Sequence, residues 1–264
     1  MRLSRLITLA IALTALTACG SADITDPGKP ALGDVRFINA VADTGAVDIT
    51  MIDQIEWSAK ALNLPFRGQA TQYWPTEAKT RHIRVFPTSR TIGVTSQILL
   101  DTQVDITAGS RVTLLLTGSA RAGTLKFVTI DDNGAAPAAG QIGIRVVNAS
   151  TGAVDGYLVT APTDPVSGTP FAANVGVNAT SAYAARAVGA AAVRATDAGS
   201  TTVNASQAGP VAPATPVGEK PAAGVTAEGT LFSVYYFPRG VAGSPNNALT
   251  TPAIVWYVDR NPAD

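Results

Sequence analysis

Few residues in this 264-residue chain have types that do chemistry. It holds one histidine, His82, and one cysteine, Cys19. A serine–histidine–aspartate relay needs its histidine beside a nucleophile. His82 lies instead in the strand-like run Arg81-His82-Ile83-Arg84-Val85, and an exposed or capped strand histidine is expected there. One histidine and one cysteine supply too few nitrogen and sulfur ligands for a zinc site. Asp131-Asp132-Asn133-Gly134 lacks the spaced oxygens and distal glutamate of a calcium loop, and it reads as a turn. No Asp or Glu pair stands out as the two carboxylates of a glycoside hydrolase. No catalytic residue, cofactor or metal site is expected, and the chain does not read as an enzyme.

Two other groups of residues invite a role. Arg36 and Arg145 each sit inside an apolar strand-like run, and each is followed, after a turn, by an aspartate, Asp48 or Asp155. A half-buried guanidinium must find acceptors for its donors. Equivalent cross-strand pairs Arg36–Asp48 and Arg145–Asp155 are therefore expected, with solvent-facing arginines as the equal alternative. The aromatic residues Trp57, Tyr73, Trp74, Tyr235, Tyr236 and Trp256 could form a stacking platform for sugar rings. In Leu231–Phe237, strand alternation sends Phe232, Val234 and Tyr236 to one face, and Leu231, Tyr235 and Phe237 to the other. One set must be core, and core packing is the favoured reading.

The elements that position these residues occur twice. Val35-Arg36-Phe37-Ile38-Asn39-Ala40 with Thr44-Gly45-Ala46-Val47-Asp48 returns as Ile144-Arg145-Val146-Val147-Asn148-Ala149 with Thr151-Gly152-Ala153-Val154-Asp155. Further matches are Pro65-Phe66 with Pro170-Phe171, Tyr73 with Tyr183, Arg84 with Arg194, and Ile106-Thr107-Ala108 with Val225-Thr226-Ala227. The spacing is too long for a solenoid repeat and suits a domain counted twice. The offset grows near Pro210–Pro221 and near Ala242–Pro252, both rich in small residues and proline, as surface-loop insertions are. Short β-branched runs punctuated by Gly, Asn, Asp and Pro predict strands at the spacing of a sandwich. Ile92–Leu100 and Ala182–Ala192 are among the predicted strands.

The chain opens with Arg2 and Arg5, then an apolar run from Leu6 to Ala15. That run is shorter than the roughly 20 residues of a membrane-spanning helix and fits a secretory signal. Leu16-Thr17-Ala18-Cys19 resembles a bacterial lipobox. The resemblance implies lipidation of Cys19, cleavage before it, and a flexible tether to Gly33. With Gly20 and Ser21 rather than aspartate after the cysteine, it also implies the outer membrane of the cell envelope. One acyl chain binds a bilayer marginally, whereas two or more hold it firmly. The chain carries 19 basic and 19 acidic residues, and loss of Arg2 and Arg5 would leave a charge of −2. Such a balance gives no basic footprint for nucleic acid and no polybasic lipid-binding patch. No second cysteine exists for a disulfide, so core burial must hold the fold.

The Val-Arg-x-x-Asn-Ala opening, its Thr-Gly-Ala-Val-Asp continuation and the later Ile-Thr-Ala-Gly resemble an uncharacterised bacterial family, the domain of unknown function numbered 4397. The resemblance implies an exported, commonly lipid-anchored protein with the domain in tandem. The expected fold class is all-β, with two tandem immunoglobulin-like or transthyretin-like β-sandwiches. The expected organisation is a signal peptide at 1–18, a tether at 19–33, sandwiches at 34–133 and 141–264, and an exposed linker at 134–140. Each sandwich is expected to close its own core and fold alone. Gly156 departs from the family, which usually has a strand residue there. The family carries no known catalytic residues. The expected function is a non-enzymatic envelope lipoprotein with a structural, adhesive or protein-binding role, held to the membrane through Cys19. The alternative is a module that binds a surface carbohydrate or polymer.

Overall fold

The computed structural model describes residues 30–53, 59–70, 73–216 and 218–262. Cys19, the signal segment, most of the tether and Trp57 lie outside the described residues. Residues 32–264 form one compact unit, nearly all of it strand and loop. In the first half the strands are β1 (Leu32–Asn39), β2 (Val47–Met51), β3 (Ala59–Leu64), β4 (Trp74–Glu77), β5 (Thr80–Pro87), β6 (Leu100–Asp105), β7 (Arg111–Thr117) and β8 (Lys126–Asp131). In the second they are β9 (Gln141–Asn148), β10 (Val154–Val159), β11 (Ala172–Val175), β12 (Ala184–Ala187), β13 (Ala192–Asp197), β14 (Val203–Ala208), β15 (Leu231–Phe237) and β16 (Ala253–Arg260).

Four sheets result, ordered β4-β1-β7-β8 and β3-β2-β5-β6 in the first half, β12-β9-β15-β16 and β11-β10-β13-β14 in the second. The orders correspond strand for strand, eight elements apart. Within each half the two sheets enclose a core. Val35, Phe37, Leu114 and Leu116 face Ile49, Ile83 and Val85 in one; Ile144, Val146, Phe232 and Val234 face Val154 and Val193 in the other. The central pairs β1–β7 and β9–β15 are parallel.

A third core lies between the sandwiches. Alternation along β1, β7, β9 and β15 sends Ile38, Leu115, Val147, Tyr235 and Phe237 away from their own sandwich cores. With Ile130, Tyr257 and Phe66 they form one buried cluster. The layers therefore run outer sheet, inner sheet, inner sheet, outer sheet. Both inner sheets are covered on both faces, which is why β7 and β15 are buried almost without interruption along their length. Each sandwich thus closes a core of its own, and a third core, which the sequence did not reveal, joins the two.

Further expectations change in detail. Ile92–Leu100 is not one strand: Ile92–Thr95 is a helical turn, α1, with Ile92 82% exposed. Strand β6 starts only at Leu100, where its pairing with Val85 begins. Ala182–Ala192 spans β12 and the turn after it, and β12 occupies the sheet place of β4 rather than that of β5. Asp131–Gly140 is exposed along most of its length, but Asp132 is buried and Gly134 packs against Leu231 and Tyr183. The Pro65–Pro170 match is also out of register. Left-handed backbone at Asn63 and Arg67 corresponds to Asn174 and Asn178, and the Ile38–Gln69 bridge corresponds to Val147–Thr180. Phe66 thus corresponds to Val177.

Candidate functional site

The repeated arginines meet at the centre of the molecule. Each lies on an inner-sheet face that alternation turns toward the other sandwich, beside the hydroxyl of the adjacent parallel strand. Arg36 donates from Nε and Nη2 to Thr113 Oγ1 at 3.0 and 2.8 Å. Arg145 donates from Nε to Ser233 Oγ at 2.7 Å. Each then reaches across. Arg36 Nη1 donates to the Val258 carbonyl at 2.8 Å and Nη2 to Asp259 Oδ1 at 2.7 Å. Arg145 Nη1 donates to the Asp131 carbonyl at 2.7 Å, and Nη2 to Asp132 Oδ1.

The carboxylates collect the remaining donors. Asp132 Oδ2 accepts from Thr113 at 2.5 Å and Tyr73 at 2.7 Å. Asp259 Oδ2 accepts from Ser233 at 2.6 Å and Tyr183 at 2.8 Å. The Tyr73 and Tyr183 rings lie 4.5 Å from the Arg36 and Arg145 guanidinium carbons respectively, close enough for cation–π attraction. Each half thus contributes one arginine, one hydroxyl, one aspartate and one tyrosine in the same relation.

Burial opposes the charge of Arg36, but Tyr73, Asp259 and Asp132 outweigh it and hold its pKa above the ordinary value. The same balance, with Asp259, Tyr183 and Asp132 as the favourable neighbours, raises Arg145. Burial also pushes the phenols of Tyr73, Tyr183 and Tyr235 up. The side chains of Asp132 and Asp259 expose no surface. Two cations and two anions balance, and the arginine, Thr113, Ser233, Tyr73 and Tyr183 donors are met, while the buried Tyr235 hydroxyl beside them has no hydrogen-bond partner among the described residues. Chemically, this cluster holds the two sandwiches together.

The arginine pairs expected with Asp48 and Asp155 do not form. Asp48 Oδ1 accepts from the Asn63 amide at 2.7 Å and from the Thr88 hydroxyl at 2.7 Å. Asp155 accepts from the Asn174 and Gly199 amides at 2.6 and 2.7 Å. Both aspartates therefore pin the left-handed asparagine of the neighbouring edge strand. They follow a turn into the outer sheets, whereas the arginines stand on the inner ones. The repeated asparagines are turn-closing residues too: Asn39 donates to the Leu64 carbonyl and Asn148 to that of Val175.

The aromatic platform does not assemble either. Tyr235 and Tyr236 are both buried, on opposite faces of β15, because that strand is covered on both sides. Trp256 packs edge-on against Phe232 at 5.4 Å, and Tyr73 belongs to the ionic cluster. Trp74 alone of the described set is exposed, at 43%. His82 Nε2 meets Asp101 on the first outer sheet. Among the described residues no group of three or more His, Cys, Asp and Glu side chains is placed to hold a metal ion.

The accessible feature is a cleft of about 1290 Å³ where the two inner sheets end. Ala40 and Thr117 line it from the first sandwich, Ala149 and Val177 from the second. One wall is the loop at 238–252, the second of the two insertions. It does not stand free as a surface insertion would. Val241 N and Asn246 Nδ2 donate to the Ala42 carbonyl, and Asn246 also to that of Thr44. Arg67 donates to the Pro238 and Thr251 carbonyls at 2.6 Å each, and Arg121 to those of Ala242 and Gly243. The loop straps one sandwich to the other. The cleft escaped sequence reading because its walls come from chain segments far apart; the growth of the insertion was the one available signal.

Residues 33–157 match the family described as Domain of unknown function (DUF4397). The match covers the first sandwich, runs on through Asp132 and Arg145, and ends in β10. It thus includes one complete set of cluster residues and the arginine of the other. No curated protein matches the chain.

Proposed function

We propose that the chain is a non-enzymatic lipoprotein of the bacterial cell envelope, carrying two copies of the DUF4397 domain locked into one rigid binding body. The second copy is read from the strand-for-strand correspondence of the halves and their equivalent cluster residues. The observation that carries the binding role is the placement of the ends. The chain enters the body at Leu32, and the cleft opens beyond Asn39 at the other end of β1. Eight strand residues span about 26 Å. A lipid on Cys19 would tether the body to the outer membrane through the end of β1 opposite the cleft, which leaves the cleft end for a partner in the envelope. The buried aromatics favour a protein partner over a glycan platform.

The anchor is tested by fractionation and labelling. The wild-type chain should sediment with membranes and incorporate labelled palmitate, and Cys19→Ser should do neither. A Cys19→Ser variant that remains labelled and membrane-bound would remove the lipoprotein reading.

A further inference from the structure

We infer that the cleft between the inner sheets binds an acidic peptide segment, rich in small residues, of a partner protein. This rests on the reading above that the loop end is the binding end, and it names the chemistry of what binds there. The cleft is basic, whereas the chain as a whole carries 19 basic and 19 acidic residues. Arg121, Lys126 and Arg239 line it, against one acid, Asp43. The Asp43 carboxylate is already taken: it accepts from Ser119 Oγ at 2.5 Å and from the Ala120 and Arg121 amides at 3.0 and 3.1 Å. Arg121 is held by the strap loop. Lys126 and Arg239 are exposed and make no ion pair or hydrogen bond with another described residue. Two cations at the rim of a groove, with no anion of their own among the described residues, complement an acidic ligand.

Size and surface select among acidic ligands. A volume of about 1290 Å³ exceeds the roughly 300–1,000 Å³ of small-molecule pockets, so an oligomer several units long fits it better than a metabolite. The walls are mostly small side chains, the methyls of Ala40, Ala149 and Val241 beside the hydroxyls of Thr117, Ser150 and Thr250, rather than rings on which sugars stack. Short side chains let a peptide backbone approach such a wall closely, while its carboxylates reach Lys126 and Arg239. The charges are exposed, so their attraction is screened by salt over about 8–10 Å near physiological ionic strength.

The test uses the full-length chain in a non-ionic detergent with a fluorescein-labelled peptide of alternating glutamate and alanine. Anisotropy should show saturable binding that weakens as salt is raised. Lys126→Glu and Arg239→Glu should each weaken it about tenfold or more, with unchanged thermal unfolding by circular dichroism. Alternating glutamine–alanine and lysine–alanine peptides should not bind. Equal binding of the neutral peptide, no effect of either charge reversal, or binding of an oligogalacturonate in place of the acidic peptide would overturn the inference. Binding of the acidic peptide that neither charge reversal weakens would also count against the loop end as the binding end, whereas binding of oligogalacturonate that both reversals weaken would overturn the peptide alone.

Discussion

At the scale of single residues, the chain spends its buried charge on joining two halves. Asp259 neutralises Arg36 and accepts from Tyr183 and Ser233 with no exposed side-chain surface. Asp259→Asn keeps the shape but leaves a buried guanidinium short of an anion. Breaking one member of such a group costs about 3–5 kcal/mol, which should appear as a lower denaturant midpoint. The exposed Asp101, beside His82 and Arg84, is the control, and Asp101→Asn should leave the midpoint unmoved. A smaller loss at Asp259 than at Asp101 would contradict the assignment of the cluster as the joint. The sequence left buried pairs and solvent-facing arginines as equal readings, and it did not show the cluster's membership. Two arginines repeated inside apolar runs demand acceptors, and the nearest aspartates in sequence are Asp48 and Asp155. The partners of Arg36 lie 96 and 223 residues away, on strands whose adjacency only the folded sheets establish.

At the scale of elements, alternation was readable and its consequence was not. The sequence shows Leu231–Phe237 with large side chains on both faces, and a single sandwich can bury only one of them. The second face is buried because another sandwich covers it, as it covers Thr113, Leu115 and Thr117 on β7. The run at Ile92–Leu100 misled for the opposite reason: β-branched composition suggests a strand, yet its backbone meets the neighbouring strand only from Leu99 onward. Gly156 was visible as a departure, and its cause lies in packing. A Cβ there would stand 2.7 Å from Val146 Cγ2 and 3.2 Å from Phe171 Cε1, so the Phe171 ring and Val146 occupy the space a side chain would need. Gly156→Val should overpack the second core and destabilise by about 1–3 kcal/mol, measured by chemical denaturation. An unchanged or raised midpoint would mean that the core relaxes around the added methyls, and the packing account of this glycine would be wrong.

At the scale of the whole molecule, the halves correspond in topology but differ in bulk where they touch. Leu115 and Ile130 on the first face occupy the places held by Tyr235 and Tyr257 on the second, so large residues meet smaller ones. The shared core contains ten buried residues. Each large side chain fully removed from water contributes about 1.5–3 kcal/mol, so together they rival the 5–15 kcal/mol net stability of an ordinary domain. Separating the halves would expose that face and also orphan Arg36, Asp132, Arg145 and Asp259. Chain cleavage within 134–140 offers the test. Residues 30–136 expressed alone should bind a hydrophobic dye and unfold without a sharp transition. Mixed with residues 137–264, they should form a one-to-one complex whose cooperative melting matches that of the intact chain. Asp259→Asn in the second fragment should weaken that complex, since the strongest cross-contact of Arg36 is with Asp259. A first fragment that is monomeric, dye-silent and cooperatively folded would show that the shared core is dispensable, and that the sandwiches are independent after all.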